Sequence, residues 1–166
     1  MADSAAHLVD RVFPEVPIRQ WVLSLPFALR YRLAYDARLV RDVLHIFVQA
    51  VFGSLRRRTG FATSNRKIRC GAVSFVQRFG DALNLNIHFH MLALDGVYAE
   101  DKKGCVCFRP APPPSNAEVA RVADRVHRSI ARLFERRGLG QQVDPDPGRF
   151  PERDLWPGAV STVRSC

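Results

Sequence analysis

The chain is 166 residues long, 47% hydrophobic, and carries 25 Lys+Arg against 16 Asp+Glu, a formal charge of +9. That length supports one domain with its own core, and the apolar fraction excludes a disordered polyelectrolyte. The basic excess is almost all arginine, Lys67, Lys102 and Lys103 being the lysines, and a planar guanidinium fork matches phosphate oxygens, so the balance points to a polyanionic partner such as nucleic acid.

Residues 1–17 read as a lead-in segment punctuated by Pro14 and Pro17; MADSAAHLVDRVF lacks the basic start and apolar run of a signal peptide. RQWVLSL at 19–25 alternates, with Trp21, Leu23 and Leu25 on one face, and predicts a half-buried strand. Pro26 suits a helix first turn, so PFALRYRLAY is a short helix. Asp36 caps a second helix running to about Arg58, with Val40, Val43, Leu44, Phe47, Val51 and Leu55 as core positions. Its apolar run VLHIFVQAVF at 43–52 is too short to span a bilayer.

RRRTGFATSNRK at 56–67 reads as a basic loop, IRCGAVSFVQRF at 68–79 as a second strand, and GDALN at 80–84 as a turn. LNIHFHMLAL at 85–94 is a third strand, ended by the turn dipeptide Asp95-Gly96. GCVCFRP at 104–110 is a fourth, stopped by PAPPPSN. Ser115 or Asn116 caps a last helix over 117–137, with Val119, Val122, Val126, Ile130 and Leu133 on its apolar stripe. The tail, 141–166, is rich in Pro and Gly and is expected to be poorly ordered. The order β-α-α-β-β-β-α predicts an α+β domain over 18–140, an antiparallel sheet with helices packed on one face. This is a ferredoxin-like unit that lacks a last strand.

Among the cysteines Cys70, Cys105, Cys107 and Cys166 no paired metal-knuckle spacing occurs. Cys105 and Cys107 share a strand face, a weak metal hint set against core thiols in a reducing compartment. Arg56, Arg57, Arg58, Arg66, Lys67 and Arg69 form the candidate nucleic-acid contact, with Phe61 and Phe79 able to stack on bases. Arg121, Arg125, Arg128, Arg132 and Arg136 line one arc of the last helix, which reads more simply as a solvated face.

His88 and His90 flank Phe89 on the third strand. Residues i and i+2 of a strand share a face, so the two imidazoles project together, while Ile87, Phe89, Met91 and Ala93 form the apolar face against the helices. Two imidazoles at this spacing can converge on a divalent metal that polarises a phosphodiester oxygen. The plainer alternative is two polar residues on a solvent face.

The stretches RQWVLSLPFALRYRLAYD, CGAVSFVQRFGDALNLNIHFHMLALDGVY and FRPAPPPSNAEVARVA together resemble the transposases of rolling-circle insertion sequences, which are HUH endonucleases, over roughly residues 5–140. The resemblance implies an HUH core in which His88 and His90 hold Mg or Mn, with a tyrosine attacking single-stranded DNA to leave a 5′-phosphotyrosine link. It also implies a bacterial, cytoplasmic setting. A third ligand is usual; Gln77, Asp81 and Asp95 are nearby in sequence. The family carries a cysteine-rich zinc segment before the core and its tyrosines well after the histidines, whereas here nothing before Cys70 could bind zinc and only Tyr98 follows His90. The expectation is therefore a core truncated at both ends. Tyr31 and Tyr35 share a helix side at i, i+4 and read as core-edge packing. Three behaviours stay open: a metal-dependent strand transferase, a single-strand binding module without catalysis, and an inactive remnant.

Overall fold

The computed structural model describes residues 13–61, 67–79, 85–101, 103–139 and 160–165. Alternation shapes the first strand, β1 (Ile18–Ser24), as expected. Arg19, Trp21 and Leu23 point into the protein, the latter two with 0% exposure. Helix α1 (Phe27–Tyr35) begins one residue later than expected: Pro26 is its N-cap rather than part of the first turn, with a φ of −56° but an extended ψ of 149°. Helix α2 (Ala37–Arg58) is capped by Asp36, whose Oδ1 accepts from the backbone N–H groups of Arg38 and Leu39, both at 2.9 Å. Leu39, Val40, Val43, Phe47, Ala50, Val51 and Leu55 make its buried stripe. Each larger apolar side chain among them contributes about 1.5–3 kcal/mol by leaving water.

Helix α3 (Asn116–Arg136) is capped by Ser115 Oγ, which accepts from the Glu118 N–H at 3.2 Å. Val122, Val126, Ile130 and Leu133 bury its apolar face. Helices α2 and α3 run antiparallel: Arg57 near the end of α2 meets Glu118 at the start of α3, and Asp42 near the start of α2 meets Arg137 just past α3.

The remaining strands are β2 (Ile68–Arg69), β3 (Ala72–Phe79), β4 (Leu85–Leu94), β5 (Gly96–Glu100), β6 (Val106–Pro110) and β7 (Val160–Ser165). One antiparallel sheet has the order β3-β4-β1-β7, and a smaller one β2-β5-β6. The first order is that of the ferredoxin-like unit. Ile87, Phe89, Met91 and Ala93 of β4 are buried against the helices.

Five further boundaries differ from the sequence reading. The 56–67 segment is not all loop, because α2 continues through Arg58. The stretch 68–79 is two strands, broken at Cys70-Gly71: β2 pairs with β5 in the small sheet and β3 with β4 in the large one. Asp95-Gly96 is a kink between sheets rather than a turn, and the chain enters β5 at once. Gly96 is required there, since a Cβ would overlap the Arg109 carbonyl oxygen and the Phe108 ring. Fourth, β6 starts at Val106 instead of 104. Finally, the tail supplies the strand that the topology lacked, as β7 pairs antiparallel with β1 from Ile18↔Ser165 to Leu23↔Val160; the rest of that tail, 141–159 and Cys166, lies outside the described residues. Short strands with few apolar positions carry too little periodicity to be seen in isolation.

Candidate metal and nucleic-acid site

The register of the large sheet builds the site. Opposed residues of an antiparallel pair share a face. His88 pairs with Ser24 on one side and Gln77 on the other, and His90 with Val22 and Phe75. The open face therefore carries Gln20, Val22 and Ser24 from β1, His88, His90 and Leu92 from β4, and Val73, Phe75 and Gln77 from β3. It is the face away from the helices, as the alternation of β4 demanded.

The two imidazoles meet edge to face with ring centroids 4.8 Å apart. His88 Nδ1 lies 2.7 Å from the Asn86 carbonyl oxygen, so Nδ1 carries the proton and donates, leaving Nε2 with a lone pair. A backbone carbonyl that fixes the tautomer in this way is the usual support of a ligating histidine. His90 Nδ1 lies 2.9 Å from the Gln20 carboxamide nitrogen. His90 Nε2 is buried without a hydrogen-bond partner. With the Gln20 amide donating to Nδ1, the ring proton of His90 is on Nε2; with that carboxamide turned over, its oxygen accepts from Nδ1–H and Nε2 presents a lone pair instead. Burial, reinforced by the neighbouring His88, pushes the His90 imidazole below its ordinary value of 6.5, which favours the neutral, ligating form. In the tautomer with a lone pair on His90 Nε2 the donor set suits a divalent metal: two imidazole nitrogens share one face, and one of them is an orphaned buried atom.

The three candidate third ligands separate. Gln77 stands opposite His88 on the same face, its amide donating to the Phe79 carbonyl at 3.1 Å. Asp81 lies outside the described residues. Asp95 is on the other face, 3% exposed and held by arginines, so it is unavailable to the pair. Among the described residues no group of three or more His, Cys, Asp or Glu is placed to hold a metal.

Of the basic candidates, Arg57 and Arg58 have partners inside the fold. Arg57 Nη2 donates to Glu118 Oε1 at 2.8 Å. Arg58 Nη1 reaches Asp95 Oδ1 at 3.5 Å and the Pro112 carbonyl. Arg56 lies on the same last turn of α2, with its charge and a hydrogen bond directed at Cys70. Lys67 is exposed and pairs with Glu100 at 3.4 Å, Arg69 is exposed, and Arg66 lies outside the described residues. Phe79 is 52% exposed, whereas Phe61 packs against the core. Phe75, 43% exposed and opposite His90, was not singled out from sequence. Its signal was parity: it precedes Gln77 by two on β3, so the register that faces Gln77 outward also faces Phe75 outward. Gln20 escaped for the same reason on β1.

Cys105 and Cys107 are exposed rather than core thiols. The tyrosines also depart from the packing expected of them: Tyr31 is 54% and Tyr35 88% exposed. Helix α1 lies on the helical side of the sheet, where Arg78 of β3 reaches the Ala34 carbonyl at 3.5 Å. Tyr98 sits in the small sheet, edge to face with Phe108 at 5.3 Å.

Sequence reading also missed the junction between the two sheets. Arg19 Nε and Nη2 donate to Asp95 Oδ2 at 3.1 and 2.7 Å, and Arg58 approaches the other oxygen. The Asp95 backbone N–H donates to the Pro17 carbonyl at 2.7 Å, and its own carbonyl accepts from the Ala111 N–H at 2.8 Å. Burial pushes the Arg58 guanidinium below its ordinary value while Asp95 opposes that shift. Asp95 thus fastens β1 and α2 through its carboxylate, and the chain entering α3 through its backbone carbonyl, to the kink between β4 and β5. Near it, Glu118 is buried; burial would raise its carboxyl, but hydrogen bonds from Ser54 and Arg57 and the charges of Arg57 and Arg121 outweigh this and hold it below the ordinary value.

The class so defined is an α+β domain whose antiparallel sheet presents a histidine pair on its open face. Residues 71–148, which include β3, β4 with both histidines, β5, β6 and α3, match the family model described as "Putative transposase". The matched family implies DNA binding. Neither the curated proteins nor the solved structures contain a match to the chain. No helix among the described residues is long and apolar enough to cross a membrane.

Proposed function

We propose that the open face of the large sheet is a single-strand DNA platform of a transposase, with His88 and His90 as ligands of one Mg or Mn ion. The observation that carries this reading is the unpartnered, buried His90 Nε2 beside His88, whose own Nε2 is left free by its bond to Asn86. Gln77 is the described side chain that stands ready to complete the set from β3. A bound divalent ion supplies charge neutralisation at a phosphodiester oxygen. Phe75 and Phe79 offer rings on which unpaired bases stack, a sequence-tolerant contact suited to single strands. Lys67 and Arg69 contribute basic charge from β2 and the residue before it, while Arg56, Arg57 and Arg58 act chiefly through the fold.

In the HUH enzymes that the sequence resembles, a tyrosine cuts and rejoins the strand. Tyr31 and Tyr35 stand on the helical side and Tyr98 in the small sheet, so we assign this chain the binding and metal-holding parts of that chemistry, with the attacking tyrosine supplied from outside the described face. The test is a paired titration of the purified chain. Mn²⁺ binding followed by electron paramagnetic resonance, and binding of a labelled single-stranded oligonucleotide with and without Mn²⁺, are compared with the His88→Ala/His90→Ala variant. The expected result is Mn²⁺ binding and Mn²⁺-strengthened DNA binding, both lost in the variant, and no covalent adduct on a denaturing gel. Mn²⁺ binding unchanged in the variant would sink the metal assignment. A covalent adduct removed by Tyr31→Phe, Tyr35→Phe or Tyr98→Phe would overturn the placement of the nucleophile.

A further inference from the structure

Helix α3 carries a second basic surface, on the opposite side of the molecule from the histidine pair. Arg121, Arg125, Arg128, Arg132 and Arg136 are all exposed. At about 100° per residue they fall within an arc of about 80°, and at 1.5 Å per residue they extend over about 22 Å. The acids Asp124 and Glu135 lie beside this arc rather than within it. Arg121 is tied to Glu118. Arg125, Arg128, Arg132 and Arg136 make no ion pair or hydrogen bond among the described residues. The contrast with α2 is sharp: the Arg57 and Arg58 charges are spent on Glu118 and Asp95, whereas those of α3 face water in a straight row.

We infer that this row is a docking surface for the phosphate backbone of duplex DNA, separate from the single-strand platform. Charge complementarity sets the class of partner, because four uncompensated guanidinium groups in one line repel each other until a polyanion neutralises them. The form of that polyanion follows from what accompanies the charges. No exposed aromatic ring lies in the arc, the helix's Phe134 being buried, so there is nothing for unpaired bases to stack on. A rigid rod of regularly spaced cations fits the regularly spaced phosphates of a duplex, which carries one charge every 3.4 Å along each strand. The aromatic-flanked histidine face has the opposite character. The inference uses the family's DNA partner and does not depend on metal binding at His88 and His90.

The experiment uses the full chain, an Arg128→Gln/Arg132→Gln/Arg136→Gln variant, and the same triple replaced by lysine. Binding to a blunt-ended duplex longer than two helical turns and to oligo-dT is measured as a function of salt, with thermal melting of each protein. Each phosphate contact contributes about 0.9 to the slope of log K against log salt. The glutamine triple is expected to flatten the duplex slope by about 2–3, to lower duplex affinity at least tenfold, and to leave oligo-dT binding and the melting temperature unchanged. The lysine triple is expected to keep most of the slope. Duplex binding unchanged in the glutamine triple overturns the proposal, as does an equal loss on oligo-dT. So does a loss confined to binding of poly-glutamate or anionic vesicles, which would mark an acidic protein or a membrane surface as the partner. Failure of the histidine reading looks different: the His88→Ala/His90→Ala variant would then keep Mn²⁺ and oligo-dT binding, whatever the duplex result.

Discussion

Replacing Asp95 by asparagine tests whether the sheet junction is held by charge. The Asp95 side chain is 4% exposed, and its partners Arg19 and Arg58 are 7% and 8% exposed, so the cluster is screened from solvent and salt. Asparagine keeps the size and one acceptor oxygen but removes the charge that two buried guanidinium groups face. Breaking one side of a buried pair typically costs about 3–5 kcal/mol, because the stranded charge keeps its desolvation penalty. The remaining carbonyl can still accept from Arg19, which puts the expected loss at the lower end, about 3 kcal/mol. Domains have about 5–15 kcal/mol in all, and for a chain of this size 1 kcal/mol moves the melting temperature by about 2–4 °C. The expected drop is therefore about 6–12 °C by calorimetry at neutral pH. Asp124→Asn, on an exposed helix face, serves as the control and should move it by less than 2 °C, in keeping with about 0.5 kcal/mol for surface changes. A melting temperature for Asp95→Asn within 2 °C of wild type would refute the argument, since the two arginines would then have water or another anion to face.

Gly96→Ala places a methyl group against the Arg109 carbonyl and the Phe108 ring, and overpacking of this kind costs about 1–3 kcal/mol; an unchanged denaturation midpoint would show that β6 can move away. Glu118 has a depressed carboxyl pKa, so its contribution to stability is present above the ordinary value of 4.5 and is lost as pH falls through that value toward the folded one. Melting curves of wild type and Glu118→Gln should differ at pH 7 and converge towards pH 3. His90 is depressed in the other chemical sense: unfolding lets it take up a proton, so its contribution is complete above about pH 6.5 and fades as pH falls below it. Its NMR titration midpoint should lie below 6.5 and rise part of the way back in His88→Ala, because desolvation is the larger cause and the neighbouring imidazole the smaller. Phe75→Ala should weaken oligo-dT binding by about 1–3 kcal/mol, the worth of one stacked base, without affecting duplex binding.

What the sequence disclosed follows its periodicity. The alternation around His88-Phe89-His90 was strong enough to give the buried and open faces of β4, and the caps Asp36 and Ser115 marked both long helices. The kinked junction was not readable, because its signals are non-local: Arg19 and Asp95 are 76 residues apart, and Asp-Gly has the local signature of a turn. The strand β7 follows a Pro/Gly-rich stretch, and its pairing with β1 depends on an edge that exists once β1 is folded. Phe75 and Gln20 were hidden similarly, since each strand's parity was plain but the register between strands was not.

The arginines show why net charge alone is a poor guide to a binding surface. The Arg56-Arg57-Arg58 run is the densest basic stretch of the sequence, yet two of its members are fastened to Glu118 and Asp95. Charges consumed in this way add to the total of +9 but contribute little to the field that a phosphate backbone meets. The α3 arginines are more dispersed in sequence, and only helical geometry gathers them into one row in which, among the described residues, Arg121 alone has an acidic partner. A dense run at the end of a helix has neighbouring elements within reach and tends to be drawn into the packing. A row opposite an apolar stripe has none, because the stripe that buries one side holds the other in solvent. Mutating Arg57 and Arg58 should therefore lower stability and DNA affinity together, whereas mutating Arg128, Arg132 and Arg136 should lower affinity alone. Parallel melting and binding curves on the two sets separate the roles, and equal affinity loss at unchanged stability in both would refute the division.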